Sequence, residues 1–193
     1  SINLYSIRSK ENYGIGDLRD LKKIMKWISD LKGGFRGINP LHSISNKRPF
    51  GISPYSPISR LYKNFVYIDL EKVPEVKNLI DQDILKEVKR LKECQFIDYE
   101  GVMKLKKSIL ERAFHIFYEE HYLKRSDYYK DFANYLSEEG ALLESFSTYM
   151  ALAEDFAKNE NNYLFDWTQW EGFKDSSWDK IQEYKERNYK KVL

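Results

Sequence analysis

The sequence predicts an α/β protein, with strands and turns in its first part and helices in its second. Three observations carry this expectation. All five prolines and six of the nine glycines fall before residue 75, and both residue types interrupt regular elements. Residues 2–39 run as a short apolar stretch, an apolar-periodic segment and a second short apolar stretch, which is the order of a βαβ unit. Beyond residue 75, apolar side chains recur at spacings of three and four, the mark of amphipathic helices. The change of composition sets a boundary near Pro74.

Taken in order, Ile2 to Ile7 reads as a first strand and Arg8 to Gly16 as a polar loop, with Asp17 at the N-cap of a helix. Leu18, Leu21, Ile24, Ile28 and Leu31 share one face of that helix. Gly33-Gly34 supplies a residue that tolerates the left-handed conformation in which helices end. Phe35 to Asn39 reads as a second strand, parallel to the first with a right-handed crossover. A long loop follows, Asn39 to Tyr62, containing four of the prolines. Loops of that length without regular structure are usually functional. In parallel α/β folds the loops leaving the carboxyl ends of strands build the binding site, so Arg8 to Gly16 and the long loop share one face. Phe65 to Leu70 reads as a further strand.

Helices are expected from Glu75 onward. Val102, Leu105, Ile109, Ala113, Phe114 and Phe117 form one apolar stripe, and Tyr128, Phe132, Tyr135 and Leu136 a second. A third runs from Leu142 to Phe156, and a shorter helix is expected from Ser177 to Tyr189. Tyr163, Leu164, Phe165, Trp167 and Trp170 form an aromatic knot in the link between them.

Composition narrows the function. The chain has 193 residues, with 32 Lys and Arg against 30 Asp and Glu, too balanced for a dedicated nucleic-acid binder. No apolar run approaches the roughly 20 residues of a membrane-spanning helix. One cysteine, Cys94, forms no internal disulfide, and the first residues carry no basic segment followed by an apolar one, so a cytoplasmic protein is expected. Three histidines and one cysteine match no metal-ligand spacing, so no metal is implied. Gly14-Ile15-Gly16 has Arg19 where the third glycine of a dinucleotide fingerprint would stand, and reads as a tight turn that launches the helix. Glu119-Glu120 and Glu138-Glu139 are sequence neighbours that point about 100° apart on a helix, and so do not converge on a substrate.

What remains is the long loop. Ser53, Tyr55, Ser56, Ser59, Arg60 and Asn64 put hydroxyl, amide and guanidinium groups beside aromatic faces, and His42 lies at its start. Sugars have apolar C–H faces that stack on rings and hydroxyls that need short polar partners, so this set fits a carbohydrate. A proline-stiffened connection with no ligand fits the same residues.

Leu4-Tyr5-Ser6-Ile7-Arg8-Ser9, Asn12-Tyr13-Gly14-Ile15-Gly16-Asp17-Leu18, Gly37-Ile38-Asn39-Pro40-Leu41-His42 and Ser53-Pro54-Tyr55-Ser56-Pro57-Ile58-Ser59-Arg60 closely resemble the 4-α-glucanotransferases, or amylomaltases. Tyr67-Ile68-Asp69, Val73-Pro74-Glu75, Lys104-Leu105-Lys106, Trp167 and Trp170 continue the family's order. The resemblance implies the first strands of a (β/α)8 TIM barrel, residues 1–75, followed by a mostly helical inserted subdomain, residues 76–193. It implies transfer of α-1,4-glucan segments to glucose or glucan acceptors with retention of configuration, without a cofactor. Retention requires two carboxyl groups about 5 to 5.5 Å apart.

The family's catalytic carboxylates lie in later motifs that these residues do not contain, so the chain is expected to be a catalytically incomplete portion of such an enzyme. Its expected partners are an α-1,4-glucan or maltooligosaccharide and the rest of the barrel. Ser53 and Tyr55 match positions at the glucan cleft, and Tyr13, Asn39 and His42 are expected on the same face. The alternatives are a non-catalytic glycan-binding or scaffold protein derived from the enzyme, and a helical interaction module.

Overall fold

The computed structural model describes residues 2–34, 37–46, 51–159, 167–175 and 177–193. Among these the chain is mostly helical, with one two-stranded sheet and one isolated parallel bridge. It divides into two compact units, Ser1–Lys124 and Arg125–Leu193.

The first unit opens with the parallel pair that the βαβ reading expects, reduced to Ile2 and Ile38. The Ile2 N–H donates to Gly37 O at 2.9 Å and the Asn39 N–H to Ile2 O at 3.2 Å. The expected strand to Ile7 stops there, because Leu4–Ser6 coils into a 3-10 turn. Both the Ser6 N–H and its hydroxyl donate to Asn3 O, at 3.0 and 2.8 Å; a serine bonded to its own backbone competes with a strand ladder. Phe35 and Arg36 of the second expected strand lie outside the described residues.

Helix α1 spans Leu18–Asp30 and starts where the sequence puts it. Asp17 accepts from the backbone N–H groups of Arg19 and Asp20, and the Asp20 carboxylate returns to the Asp17 N–H, satisfying donors that the first turn leaves without partners. The other end differs from expectation. Lys32, with φ +57°, takes the left-handed position rather than a glycine. Of the expected apolar stripe Ile28 is buried, Leu21 and Ile24 are half-buried, and Leu18 and Leu31 are exposed. Ile2, Leu21, Ile24, Met25, Ile28 and Ile38 line an open groove beside the parallel bridge.

The long loop is a hairpin over part of its length. Strands β1, His42–Ser43, and β2, Ser59–Lys63, pair antiparallel, with His42 opposite Lys63, Ser43 opposite Ser59 and a register shift between. The third expected strand is not one. Phe65–Tyr67 and Leu70–Lys72 are 3-10 turns, capped by the Asn64 side chain on the Val66 N–H and the Asp69 side chain on the Glu71 N–H. Asn and Asp side chains that bond two residues ahead fold the backbone into turns and override the β-propensity of Phe65, Val66 and Tyr67.

Pro74–Asn78 forms another 3-10 turn, and helices α2, Gln82–Glu93, and α3, Tyr99–Phe117, follow behind the caps Asp81 and Asp98. A π turn, Tyr118–Tyr122, continues α3. Tyr13, Leu70, Val76, Leu79, Ile84, Val88, Ile109 and Ala113 make one core cluster; Leu4, Ile15, Val66, Tyr67, Leu91 and Val102 make a second. Residues before and after Pro74 therefore share their interior up to Lys124.

In the second unit, helix α4, Asp127–Asn159, breaks at Gly140, whose φ 57° and ψ −140° leave the helical region. The second and third apolar stripes occupy its two arms. Helices α5, Trp178–Arg187, and α6, Tyr189–Val192, complete the unit. Trp170 packs in its core with Leu152 and Ala153, with ring centroids 5.3 Å from Phe156 in a parallel stack and 5.2 Å from Tyr149. Of the aromatic knot, Trp170 is buried and Trp167 exposed, while Tyr163, Leu164 and Phe165 lie outside the described residues.

Candidate functional site

The hairpin brings three of the expected site residues together. His42 opens β1, and its Nδ1 lies 3.3 Å from Pro54 O. A carbonyl only accepts, so this contact holds the Nδ1 proton in place and leaves Nε2 as the acceptor of the neutral ring. Pro54 itself is buried and anchors the loop tip. On either side of it, the Ser53 hydroxyl accepts from the Tyr55 N–H at 3.3 Å, and Ser53 O accepts from the Ser56 N–H at 3.1 Å. This turn carries Tyr55 outward, where it is 66% exposed. The result is an exposed ring beside a hydroxyl and an imidazole whose backbone anchors are fixed.

Asn39 lies at the end of the parallel bridge, half-buried, three residues before His42. Ser59 has turned its hydroxyl to the N–H groups of Leu61 and Tyr62, and Arg60 is exposed on β2. Tyr13 is elsewhere. It is 7% exposed and belongs to the first core cluster with Ile109 and Ala113, and the Lys106 ammonium lies 5.9 Å from its ring centroid, so its ring is not presented on the loop's exposed surface. Burial raises the Tyr13 hydroxyl pKa, helped by the Glu71 charge.

The glycine turn before α1 is a scaffold, as its incomplete fingerprint indicates. A Cβ on Gly16 would meet Leu4 O at 2.0 Å, and Gly14 has φ +90°. Buried Asn12 organises the turn, donating to Asp20 Oδ2 at 2.8 Å and accepting from the Gly14 N–H at 3.2 Å. Arg19 grips Asp69 with Nε at 3.2 Å and Nη2 at 2.7 Å, and reaches Glu71 at 2.7 Å. Desolvation would raise the Asp69 carboxyl, but the Arg19 contacts outweigh it and hold Asp69 below the usual range. Asp17 and Asp20 are occupied in capping, and Asp69 and Glu71 share one guanidinium. The chemistry these contacts support is binding and positioning. Among the described residues no group of three or more His, Cys, Asp and Glu is arranged to hold a metal, and no helix is long and apolar enough to cross a membrane.

A family model described as 4-alpha-glucanotransferase matches residues 2–193. The chain belongs to that family. A 4-alpha-glucanotransferase of Haemophilus influenzae is 31% identical over 179 residues, covering 88% of this chain and 26% of its own length. One from Mycobacterium bovis is 30% identical over 186 residues, covering 88% and 23%. The crystal structure of amylomaltase from Corynebacterium glutamicum superposes with a TM-score of 0.68 at 23% identity, over 98% of this chain and 25% of that one. The chain thus spans about a quarter of the length of these relatives.

Two features of this glucanotransferase chain escape a reading of motifs by chemistry. Lys106 is fully buried, donating to Val66 O at 2.6 Å and Ile68 O at 2.8 Å. It lies within the family block Lys104-Leu105-Lys106, and its position on the buried face of α3, four residues after Val102 and three before Ile109, is the signal that could have found it. The Arg19–Asp69 pair, fifty residues apart, leaves no local signal at all.

Proposed function

We propose that these residues supply the glucan-contacting loop and helical insertion of a 4-α-glucanotransferase, and that the carboxylates which break the glycosidic bond come from sequence outside them. Residues 1–75 are then the start of a (β/α)8 barrel and 76–193 the inserted subdomain, in a cytoplasmic enzyme. The observation that carries the reading is the His42–Pro54–Tyr55 arrangement in a chain of this family. It presents an exposed ring to a sugar's C–H face, with the Ser53 hydroxyl and the His42 Nε2 in position for sugar hydroxyls. Asn39, near the start of the same loop, is assigned to the same surface; Tyr13, buried in the first core cluster, is assigned to the scaffold of the turn before α1.

In the complete enzyme two carboxyl groups about 5 to 5.5 Å apart act in turn, one attacking the anomeric carbon and one protonating the leaving oxygen. The loop's part is to hold the glucan chain in register with them and to exclude water, so that a sugar hydroxyl accepts the glycosyl group. The apolar groove beside Ile2 and Ile38 supports the barrel assignment, since apolar surface of this kind is covered when further strands and helices pack on it.

The test is direct. The 193-residue polypeptide is expected to bind maltoheptaose, read by tyrosine and tryptophan fluorescence, yet to form no longer glucans from maltotriose. Transfer by the isolated chain overturns the assignment of the carboxylates; unchanged fluorescence at millimolar maltoheptaose overturns the assignment of the loop.

A further inference from the structure

We infer that Asn46 and Asn64 clamp the base of the loop carrying Ser53 and Tyr55, and that this amide pair positions the proposed glucan surface. The positioning role rests on the reading of the loop given above; the clamp itself does not. Asn46 lies three residues past β1 and Asn64 directly after β2, so they flank the loop on its two chain ends. Both are buried, at 1% and 3% exposure. Asn64 Nδ2 donates to Asn46 Oδ1 at 2.7 Å, and Asn46 Nδ2 donates back to Asn64 Oδ1 at 3.2 Å.

Each amide also fastens its own chain end. Asn46 Nδ2 reaches Ile44 O at 3.2 Å, and Asn64 Oδ1 accepts from the Val66 N–H at 3.2 Å. Asn46 has φ +58°, a left-handed backbone that asparagine tolerates better than most residues.

The strands alone are a weak closure. β1 has two residues, and the register shifts between them. Beyond the strand pairs themselves, Asn64 N–H to Leu41 O at 2.9 Å and Ile58 N–H to Ser43 O at 2.8 Å hold the crossing. A reciprocal amide pair in a buried site adds two bonds whose loss leaves polar groups unsatisfied. It is also chemically selective, since an aspartate on either side would face an acceptor with an acceptor. Neither residue reaches outward to a ligand, so the pair acts through the loop it closes.

Two variants separate the clamp from general stability. Asn46→Gly removes the amide while keeping the left-handed backbone accessible, and Asn64→Asp keeps the cap on Val66 but removes the donor to Asn46. Hydrogen exchange on the 193-residue chain is expected to quicken about tenfold or more at the Ser56 and Ile58 amides in either variant, with the α3 amides unchanged. The double variant should add little to either single one, because both break the same pair. Maltoheptaose affinity should weaken about fivefold or more in step, as a loosened site loses preorganisation.

Unchanged loop exchange, additive effects, or equal acceleration in the loop and α3 overturn the clamp. If Asn46→Gly does not fold, Asn64→Asp carries the same comparison. A loop that loosens alone in a chain that never binds maltoheptaose leaves the clamp standing and removes the glucan reading.

Discussion

Lys106 and Asp17 face one another in the interior of the first unit, Nζ to Oδ2 at 3.9 Å, with side chains 0% and 3% exposed. The distance exceeds a hydrogen bond, and the ammonium spends its donors on Val66 O and Ile68 O instead. Burial dominates both partners: it pulls Lys106 down to about 8 against the attraction of Asp17, and pushes the Asp17 carboxyl up against the attraction of Lys106. The α1 N-cap and the turns after β2 thus meet on one buried cation.

That cation gives stability a pH dependence of definite sign. The folded Lys106 titrates near 8, the unfolded one near 10.4. Between these values the unfolded chain binds more protons than the folded one, so Lys106 makes stability rise with pH across that window. Urea unfolding should give a first unit more stable at pH 9.5 than at pH 7.5 by on the order of 1–2 kcal/mol. A profile that falls over this range contradicts the burial of the charge.

Removing the amine is a separate matter. Lys106→Met leaves the Val66 and Ile68 carbonyls without their donor and Asp17 without its cation. Breaking one side of a buried pair costs roughly 3–5 kcal/mol, so the variant should lose cooperative unfolding of Ser1–Lys124 or melt far below the parent. A melting point within a few degrees of the parent would show that water replaces the ammonium.

Arg19 and Asp69 should behave in the opposite pH range. The Asp69 carboxyl is held low, since the Arg19 contacts outweigh its desolvation, so its contribution is present above the ordinary carboxylate value and lost as pH falls through the folded one. Arg19→Lys forfeits the two-pronged grip and should cost about 1.5–3 kcal/mol at pH 7. The parent's advantage should shrink as acid unfolding is followed downward from about pH 4. An equal gap at pH 7 and pH 3 would remove Asp69 from the account.

Two glycines test the scaffold reading of the turn before α1. Gly16→Ala drives a Cβ to 2.0 Å from Leu4 O, whereas a Cβ on Gly34 meets nothing within 4 Å. Gly16→Ala should destabilise the first unit by more than about 2 kcal/mol and Gly34→Ala by less than about 0.5 kcal/mol. Comparable thermal shifts in the two would mean that the Leu4–Ser6 turn yields to the added methyl.

What the sequence made legible divides along physical lines. The α1 start, its cap and the α3 stripe were readable because Asp17 and the spacing Val102, Ile109, Ala113 act within one or two turns of their own helix. The strand expected at Phe65 to Leu70 failed because two side chains, Asn64 and Asp69, cap the backbone into turns, and a local β-propensity says nothing of such caps. Helix α2 is expected only as part of the helical run from Glu75 onward; Asp81 caps it and Ile84, Val88 and Leu91 fill its buried face. Of the site, the loop was legible from its own residues, and the Ser53–Tyr55 contact is local. Tyr13 is expected beside it because Arg8 to Gly16 reads as a loop leaving a strand on the same face as the long loop. Its burial depends on Ile109 and Ala113, about a hundred residues away, which no spacing argument reaches.

Tyr13 and Tyr55 therefore give the sharpest separation of scaffold from surface. Tyr55 is 66% exposed and Tyr13 is 7% exposed, so truncating each removes a different thing. Tyr55→Ala deletes a ring that packs on little of the protein and should leave the melting temperature within a few degrees, while lowering maltoheptaose affinity about tenfold, the equivalent of about 1.4 kcal/mol, within the roughly 1–3 kcal/mol of one ring stacked on a flat ligand. Tyr13→Ala opens a cavity against Leu70, Val76 and Ile109 and should cost about 3–5 kcal/mol. Any loss of binding in that variant should track unfolding and return when the chain is cooled into its folded range. A Tyr13→Phe variant sharpens the contrast, since it keeps the packed ring and removes only the hydroxyl, and should bind maltoheptaose as the parent does. If Tyr13→Phe weakens binding while Tyr55→Ala does not, the glucan lies over the core-facing turn rather than over the hairpin, and the two residues exchange roles.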